Sequence, residues 1–290
     1  MPGAAAPGGP SRIAASREFQ ALALAVRVLS DEEAVLEAVE FLAQDALQDV
    51  AIAEAVSYTV HRHEESYVIG EDGITVATEF YAHGVIGVLL ERLYRRAVLS
   101  MQPTILLRGL VGRAAKRRFL VVGAPGCGLT TLALRLLSEG LGVEGDALAL
   151  IAEGQVVALP RPFYLHREAH ALALPDVSNG GADLPHLEGP GGMDVVAVHP
   201  DRSGAAWHIN RGPVEAIIEL QADHGLHTRL SPQAHYRMAR TLTGCLCDRV
   251  GRSVGECIAD LAQLADGAEC WRLQLGRPAD ALAALRPALG

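Results

Sequence analysis

Residues 119–131, FLVVGAPGCGLTT, run from an apolar strand through a glycine-rich turn into a helix. Three glycines, Gly123, Gly126 and Gly128, have the spacing of a phosphate-binding loop (P-loop), in which backbone N–H groups and a helix N-terminus face phosphate oxygens. Thr130 occupies the position whose hydroxyl binds magnesium in such loops. The pattern predicts a P-loop between a strand and a helix; the alternative is an ordinary glycine-rich connection.

The loop lacks one side chain that phosphoryl transfer normally uses. Leu129 stands where a P-loop carries the lysine that reaches the β- and γ-phosphates. Lys116 is the sole lysine of the chain and precedes the strand, so a replacement cation has to be an arginine. By sequence the candidate phosphate cations are Arg108, Arg161 and Arg167. The predicted nucleotide-binding residues, if the site is retained, are Gly123, Gly126, Cys127, Gly128, Leu129, Thr130 and Thr131.

Composition excludes two classes of partner. A net charge of -9 argues against a nucleic-acid binder, which normally carries a basic face, and the short basic run at 113–118 reads as a solvated turn. Every apolar run is interrupted by charges before it reaches the roughly 18 residues that a membrane span requires. We therefore expect neither nucleic acid nor membrane as a partner, and a folded globular protein.

The N-terminus and the cysteines predict a cytoplasmic protein. Residues 1–15 lack the basic region and long apolar run of a secretion signal, which predicts a disordered tail. The chain has five cysteines, an odd number that suits a reducing compartment better than a disulfide framework. Cys245 and Cys247 are one residue apart without a second ligand pair, so we predict buried thiols in place of a metal site.

Residues 16–56 are rich in Ala, Leu, Val and Glu, with apolar residues at helical spacing. Ser30 and Glu33 have the spacing of a capping box, which predicts the start of a second helix. We therefore predict a helical N-terminal extension over 16–56.

Residues 57–290 read as one layered α/β domain with the P-loop at 123–131. A hairpin turning at 71–73 comes first and a helix over 83–100 follows. Strands then alternate with helices to the end of the chain, apart from a loop rich in Pro and Gly at 175–192.

The chain resembles the HPr kinase/phosphorylase-like proteins, including the HPr-kinase-related enzymes of peptide natural-product gene clusters. The resemblance covers residues 58–289. Residues 108–112, Arg-Gly-Leu-Val-Gly, match the strand that carries His-Gly-Val-Leu-Val before the P-loop of that family. Residues 145–148, Gly-Asp-Ala-Leu, match its acidic run, and the segments 158–168 and 270–285 also look like segments of these relatives. The resemblance implies an HPr-kinase-like fold.

The departures from the family pattern fall where its members perform their chemistry. Arg108 replaces the histidine, Leu129 replaces the lysine, and Asp146 alone is left of the acidic run. The resemblance implies Asp146 as the base that takes a proton from an attacking hydroxyl, and Thr130 with Asp146 as magnesium ligands if nucleotide binds. Because the charge that stabilises a migrating phosphoryl group is depleted, we expect a pseudo-kinase more than an active kinase.

Three functions stay open from the sequence. The first is a non-catalytic HPr-kinase-like protein that recognises a precursor peptide or acts as a scaffold for partner enzymes in a peptide-modifying pathway. The second is an ATP-dependent kinase for Ser or Thr of a peptide or small protein, for which Glu219 is an additional metal-ligand candidate beside its interpretation as an ion-paired strand residue. The third is nucleotide binding without transfer. No cofactor is certain, ATP with magnesium is a candidate, and analogy with proteins of this fold leaves a homo-oligomer or a hetero-complex open.

Overall fold

The computed structural model describes residues 15–42, 47–102, 104–166, 186–189, 193–198, 200, 207–222 and 227–290. The elements up to the P-loop are β1 (Ala15–Ala21), β2 (Leu24–Ser30), α1 (Glu33–Leu42), β3 (Leu47–Asp49), β4 (Glu54–His63), β5 (Ser66–Glu71), β6 (Ile74–Glu79), α2 (Ala82–Leu99), β7 (Thr104–Ala114) and β8 (Arg117–Gly123).

The elements after the P-loop complete the chain. They are α3 (Leu129–Ser138), β9 (Gly142–Gly145), β10 (Leu148–Ala152), β11 (Gln155–Ala158), β12 (Phe163–His166), β13 (His186–Gly189), β14 (Met193–Val198), β15 (His208–Asn210), β16 (Ala216–Ala222), β17 (Arg229–Pro232), α4 (His235–Gly244), β18 (Leu246–Val250), α5 (Val254–Asp266), β19 (Glu269–Leu275) and α6 (Ala281–Leu289), with a short 3-10 helix over Pro278–Asp280.

The N-terminal segment forms a five-stranded sheet with the order β1-β2-β4-β5-β6. β1 and β2 make an antiparallel hairpin, and β2 pairs in parallel with β4 after the crossover through α1. The predicted helical extension over 16–56 is therefore wrong: of its two helices, the described residues contain only the second, α1. The predicted tail at 1–15 lies outside the described residues except for Ala15, which begins β1.

The prediction was wrong because the apolar residues of this stretch were assigned the 3.6-residue period of a helix, whereas they follow the two-residue period of a strand. In β2, Leu24, Val26 and Val28 are buried while Arg27 is exposed, so burial alternates with the period of two that defines a strand. Ala and Leu favour helix in isolation, but pairing with both neighbouring strands overrides that preference. At the predicted helix start, Ser30 Oγ accepts a hydrogen bond from Glu32 N–H at 3.1 Å.

A nine-stranded sheet carries the P-loop. Its central order is β11-β10-β7-β8-β16-β19-β17, and β9 and β18 also pair with β7. β8, β16 and β19 run parallel to one another, whereas β7 is antiparallel to β8. The P-loop therefore leaves the carboxyl end of a strand inside the sheet, where helix N-termini and neighbouring strand ends converge. Two small sheets, β12-β14-β13 and β15-β3, lie beside it.

Alternate residues of β8 build the hydrophobic cores on the two faces of this sheet. Leu120 and Val122 belong to the cluster that also contains the apolar residues of the N-terminal sheet and of α4 and α5. Phe119 and Val121 belong to the cluster formed with α3 and α6. All four side chains are fully buried, and burial stabilises the fold by about 1.5–3 kcal/mol per side chain of this size.

Most elements predicted after residue 57 are present, and the mixed α/β architecture is confirmed. The first hairpin turns at Asp72 and Gly73, whose φ angles are 50° and 82°, and α2 matches the helix predicted over 83–100. Most of the predicted loop at 175–192 lies outside the described residues, although 186–189 form strand β13. Among the described helices, none is long and apolar enough to cross a membrane.

The end of the basic run at 113–118 is not solvated, contrary to the prediction. Arg118 is buried, and its Nε and Nη2 donate to the two carboxylate oxygens of Glu144 at 3.0 and 2.9 Å. Its guanidinium also donates to the carbonyl oxygens of Gly212 and Asn210 at 2.7 and 2.8 Å. Because buried charges are stable only when they are paired, this network joins β8, β9 and β15.

Candidate phosphate-binding site

The backbone of the P-loop has the conformation that its glycines permit. Gly126 and Gly128 have φ angles of 77° and 93°, in the left-handed region that disfavours residues with a Cβ. A Cβ on Gly123 would lie 2.8 Å from the carbonyl oxygen of Leu220, so the close approach of β8 and β16 also requires glycine there. α3 begins at Leu129, and its first N–H groups have no side-chain cap from Gly128. These amides are available to an anion.

The loop borders a cavity of about 450 Å³, a size within the range of small-ligand sites. The structure brings together residues that are far apart in sequence: Arg108 from β7, Asp146 after β9, and Arg161 and Tyr164 around the start of β12. Arg167 lies outside the described residues. The residues that line the cavity are Arg108, Ala124, Pro125, Gly126, Cys127, Gly128, Leu129, Thr130, Thr131, Asp146, Ala147, Arg161 and Tyr164.

Asp146 lies at the base of the cavity and is only 2% exposed. Thr130 Oγ1 donates a hydrogen bond to its Oδ2 at 2.5 Å, which holds the carboxylate against the first turn of α3. Its Oδ1 is buried without a hydrogen-bond partner among the described residues and lies 3.8 Å from Arg161 Nη2. Burial raises the pKa of this carboxyl, while the charge of Arg161 and the hydrogen bond from Thr130 act in the opposite direction.

Arg161 and Tyr164 form the wall opposite the loop. The Arg161 guanidinium lies over the Tyr164 ring, 5.2 Å from its centroid, a cation–π contact that orients the arginine. Within the described part of the chain, Arg161 Nε and the Tyr164 hydroxyl are buried without hydrogen-bond partners. The Tyr94 hydroxyl of α2 lies beside that of Tyr164, and burial raises the pKa of both phenols. Arg161 Nε is therefore a buried donor of the cavity lining that no described residue satisfies.

Leu129 does not replace the missing lysine. Its side chain is 7% exposed and packs into the core between α3 and the sheet. Lys116 lies in the turn before β8, and the seven residues of that strand, about 23 Å at the usual rise, separate it from the loop. The cations near the loop amides are the arginines, and Arg108 is close enough to lower the thiol pKa of Cys127 in part, although burial raises it overall.

Glu219 does not line the cavity and is ion-paired. Its Oε2 accepts a hydrogen bond from Arg272 Nε at 2.9 Å, and its Oε1 accepts one from Gln221 at 3.1 Å. Partial burial raises its pKa, but these hydrogen bonds outweigh that effect and the pKa is lowered overall. No group of three or more His, Cys, Asp or Glu side chains in the described ranges could hold a metal, and all five cysteines are free thiols.

Tyr164 and Tyr94 are the site residues that sequence reasoning missed. Tyr164 is three residues after Arg161, which was predicted as a phosphate cation. The chain before β12 is irregular, so the sequence pattern could not predict that the Tyr164 side chain would line the cavity. Tyr94 lies on the predicted helix α2, where the helical pattern predicts that an aromatic residue packs in the hydrophobic core.

Part of the chain is similar to a solved structure of the HPr(Ser) kinase/phosphatase from Coxiella burnetii. The match has 12% sequence identity over 63% of this chain and 94% of that chain, with a TM-score of 0.30. A likeness of this degree carries no conclusion about activity. No protein-family model matches the sequence, and none of the curated proteins is similar to it.

Proposed function

We propose that this protein binds a phosphate group, in a nucleotide or free, at its P-loop without transferring it efficiently, and that it serves as a non-catalytic, HPr-kinase-like recognition or scaffold subunit. One observation carries the proposal. The loop has the glycine backbone conformations and the uncapped helix N-terminus that bind an anion, while Leu129, at the sequence position of the P-loop lysine, packs its side chain into the core. Anion binding needs the former, whereas transfer also needs the cation.

ATP with magnesium fits the residues of the cavity. The loop amides and the two arginines suit the phosphates, and Thr130 with Asp146 would hold the metal. Magnesium commonly takes one or two protein oxygens and completes its shell with phosphate oxygens and water, so this small donor set is sufficient. When bound, the metal would neutralise phosphate charge next to a buried carboxylate.

Efficient transfer is disfavoured on electrostatic grounds. The developing charge between the β- and γ-phosphates has no ammonium group from the described residues beside it, and a guanidinium does not reproduce a compact point charge. Asp146, the candidate base, is the one carboxylate among the described residues that line the cavity. One of its two oxygens, Oδ2, already accepts a hydrogen bond from Thr130. We therefore expect nucleotide binding to be weak and turnover to be slow.

Peptide recognition has one supporting feature outside the cavity. β6 is the last strand of the N-terminal sheet, and its outer side pairs with no described strand. Ile74 at its start and Phe80 and Tyr81 just after it are 66–70% exposed. An extended peptide can add to such an edge through main-chain hydrogen bonds while apolar side chains dock beside it. We propose this edge as the contact for a precursor peptide or partner enzyme of a peptide-modifying pathway, acting in the cytoplasm.

Calorimetric titration with ATP and magnesium tests the phosphate site. We expect a dissociation constant in the range of about 0.1–1 mM, and a loss of affinity in Gly128→Ala, because alanine strains the left-handed loop backbone by roughly 1 kcal/mol or more. Gly154→Ala is the matched control: Gly154 has φ 72° in the β10–β11 hairpin and, as at Gly128, an added Cβ would meet no described atom within 4 Å. Absence of heat up to about 10 mM ATP would refute the phosphate site.

A kinase is the second candidate, and the free Oδ1 of Asp146 favours it. In this alternative Asp146 takes the proton of a Ser or Thr hydroxyl, Thr130 contacts magnesium, and Arg108 or Arg161 takes the place of the lysine. Incorporation of labelled γ-phosphate into a peptide at about 1 s⁻¹ or faster, abolished in Asp146→Asn, would establish this reaction. It would also end the pseudo-kinase proposal.

A further inference from the structure

Buried polar atoms without hydrogen-bond partners belong to residues that line the P-loop cavity. Asp146 Oδ1 and Arg161 Nε belong to lining residues, are buried, and have no hydrogen-bond partner among the described residues, and the Tyr164 hydroxyl, which lies beside that of Tyr94, belongs to the same lining. Buried polar groups in folded proteins are almost always paired, and each unpaired group weakens the fold. The cavity is therefore built for a polar ligand.

The cavity lining offers more hydrogen-bond donors than acceptors. The loop amides, Arg108, Arg161 and Tyr164 can donate, which suits an oxyanion. Among the described lining residues, Asp146 Oδ1 is the one carboxylate oxygen without a hydrogen bond, although it lies 3.8 Å from Arg161 Nη2, and it can only accept while the carboxyl is ionised. A fully ionised anion beside it would meet repulsion in a site that is largely shielded from water. A ligand oxygen that approaches Asp146 Oδ1 directly therefore has to bring a proton, whereas one that approaches the Arg161 guanidinium, 3.8 Å from that oxygen, does not.

We infer that Asp146 makes this pocket select an oxyanion that carries a proton, hydrogen phosphate or the singly protonated terminal phosphoryl group of a nucleotide, over the fully ionised sulfate. The inference rests on the proposed phosphate site. The bound anion accepts hydrogen bonds from the loop and from Arg161 and Tyr164, and its P–O–H donates to Asp146 Oδ1. Sulfate has the same tetrahedral shape but has no proton to donate at neutral pH.

The test is a pair of titrations, with inorganic phosphate and with sodium sulfate, at pH 7 and constant ionic strength in the presence of EDTA. We expect phosphate to bind about 30- to 100-fold more tightly, the scale of one lost charge-assisted hydrogen bond together with repulsion. Displacement of bound phosphate by ATP then shows whether free phosphate and the terminal phosphoryl group use the same subsite.

Two variants separate the role of Asp146 from general anion binding. Asp146→Asn keeps an oxygen to accept from Thr130 and offers an N–H₂ donor to the anion, so the phosphate-to-sulfate ratio should fall to about 1 through a gain in sulfate affinity. Tyr164→Phe removes one donor and should weaken both anions without changing their ratio. Asp248→Asn and Tyr236→Phe, at exposed positions, are the matched controls.

The outcomes distinguish this inference from the phosphate site itself. Equal binding of the two anions, a preference that arises only when magnesium is added, or ATP binding with neither anion bound would overturn the inference while leaving the phosphate site standing. Failure of phosphate, sulfate and ATP to bind would overturn both. A gain of sulfate affinity in Asp146→Asn would support the inference even if that variant melts at a different temperature.

Discussion

At the scale of single residues, Leu129 is the residue on which the proposed separation of phosphate binding from phosphate transfer depends. Its neighbours in the loop keep the geometry that phosphate requires, but its side chain has joined the core. The site therefore has the backbone contribution to a phosphate-binding loop without the lysine side chain that usually accompanies it. These two parts are separable because amide dipoles depend on chain conformation, whereas an ammonium group depends on one residue.

Leu129→Lys should restore part of the lost charge. We expect ATP affinity to rise about tenfold, equivalent to about 1.4 kcal/mol, and stability to fall by about 2 kcal/mol because apolar packing is lost. Leu137→Lys is the matched control, since Leu137 lies on the same helix, is 8% exposed and does not line the cavity. It should lose stability without gaining affinity. Calorimetry and chemical denaturation measure the two effects, and equal ATP affinities would contradict the prediction.

Asp146 should make stability depend on pH. Burial raises its pKa, so the folded protein holds this proton more tightly than the unfolded chain does. The ionised carboxylate therefore opposes folding above that pKa, and the opposition disappears as pH falls through the folded pKa. Asp146→Asn should raise the melting temperature most at neutral pH, and the difference should shrink as the pH falls through the raised pKa of Asp146. Asp248→Asn corrects for the loss of one negative charge, and a difference that grows on acidification would be the wrong sign.

At the scale of elements, the buried ion pair of Arg118 and Glu144 fixes β9, the strand that delivers Asp146 to the cavity. The backbone carbonyl of Glu144 also accepts a hydrogen bond from Trp207 Nε1 at 2.9 Å, so both the side chain and the main chain of this residue are held. Asp146 follows two residues later. The position of the Asp146 carboxylate thus depends on the contacts that Glu144, two residues earlier, makes with Arg118 and Trp207.

Arg118→Leu should be strongly destabilising, by about 3–5 kcal/mol, because it leaves the Glu144 carboxylate buried without its cation. Arg117→Leu is the matched control on the neighbouring position, where the partner Glu269 has a side chain that is 54% exposed; it should cost less than about 1 kcal/mol. Denaturant unfolding of both variants measures the contrast. Similar losses would show that the burial of the pair does not determine its contribution.

The edge strand β6 is the element on which the recognition proposal depends. Phe80→Glu places a charge beside this edge at a position that is already 69% exposed, so folding should be unaffected. If a short precursor peptide is encoded next to this gene, its binding, followed by fluorescence anisotropy, should weaken at least about tenfold, the scale of one lost apolar anchor. Ile258→Glu on α5, at a residue 49% exposed, is the control and should bind normally. Unchanged binding in Phe80→Glu would place recognition elsewhere.

At the scale of the whole molecule, the cavity is assembled from segments that belong to different layers. The P-loop comes from the centre of the large sheet, and Arg161 and Tyr164 come from the chain that enters the small sheet β12-β14-β13. Tyr94 of α2 does not line the cavity but lies next to Tyr164. α2 also packs its apolar side chains into the cluster that contains the N-terminal sheet. The N-terminal part of the chain and the phosphate site therefore share a continuous set of buried contacts.

The sequence by itself determined the local features of this protein: the P-loop from its glycines, the missing lysine from Leu129, and β8 from its unbroken apolar run, because each depends on residues close together in the chain. Tertiary structure decided the rest. Strand pairing turned the Ala- and Leu-rich stretch of β2 from a predicted helix into a strand, and long-range packing left Asp146 Oδ1 facing Arg161 without a hydrogen bond among the described residues. Strand pairing and burial depend on residues that are distant in sequence, so a local sequence pattern cannot predict them.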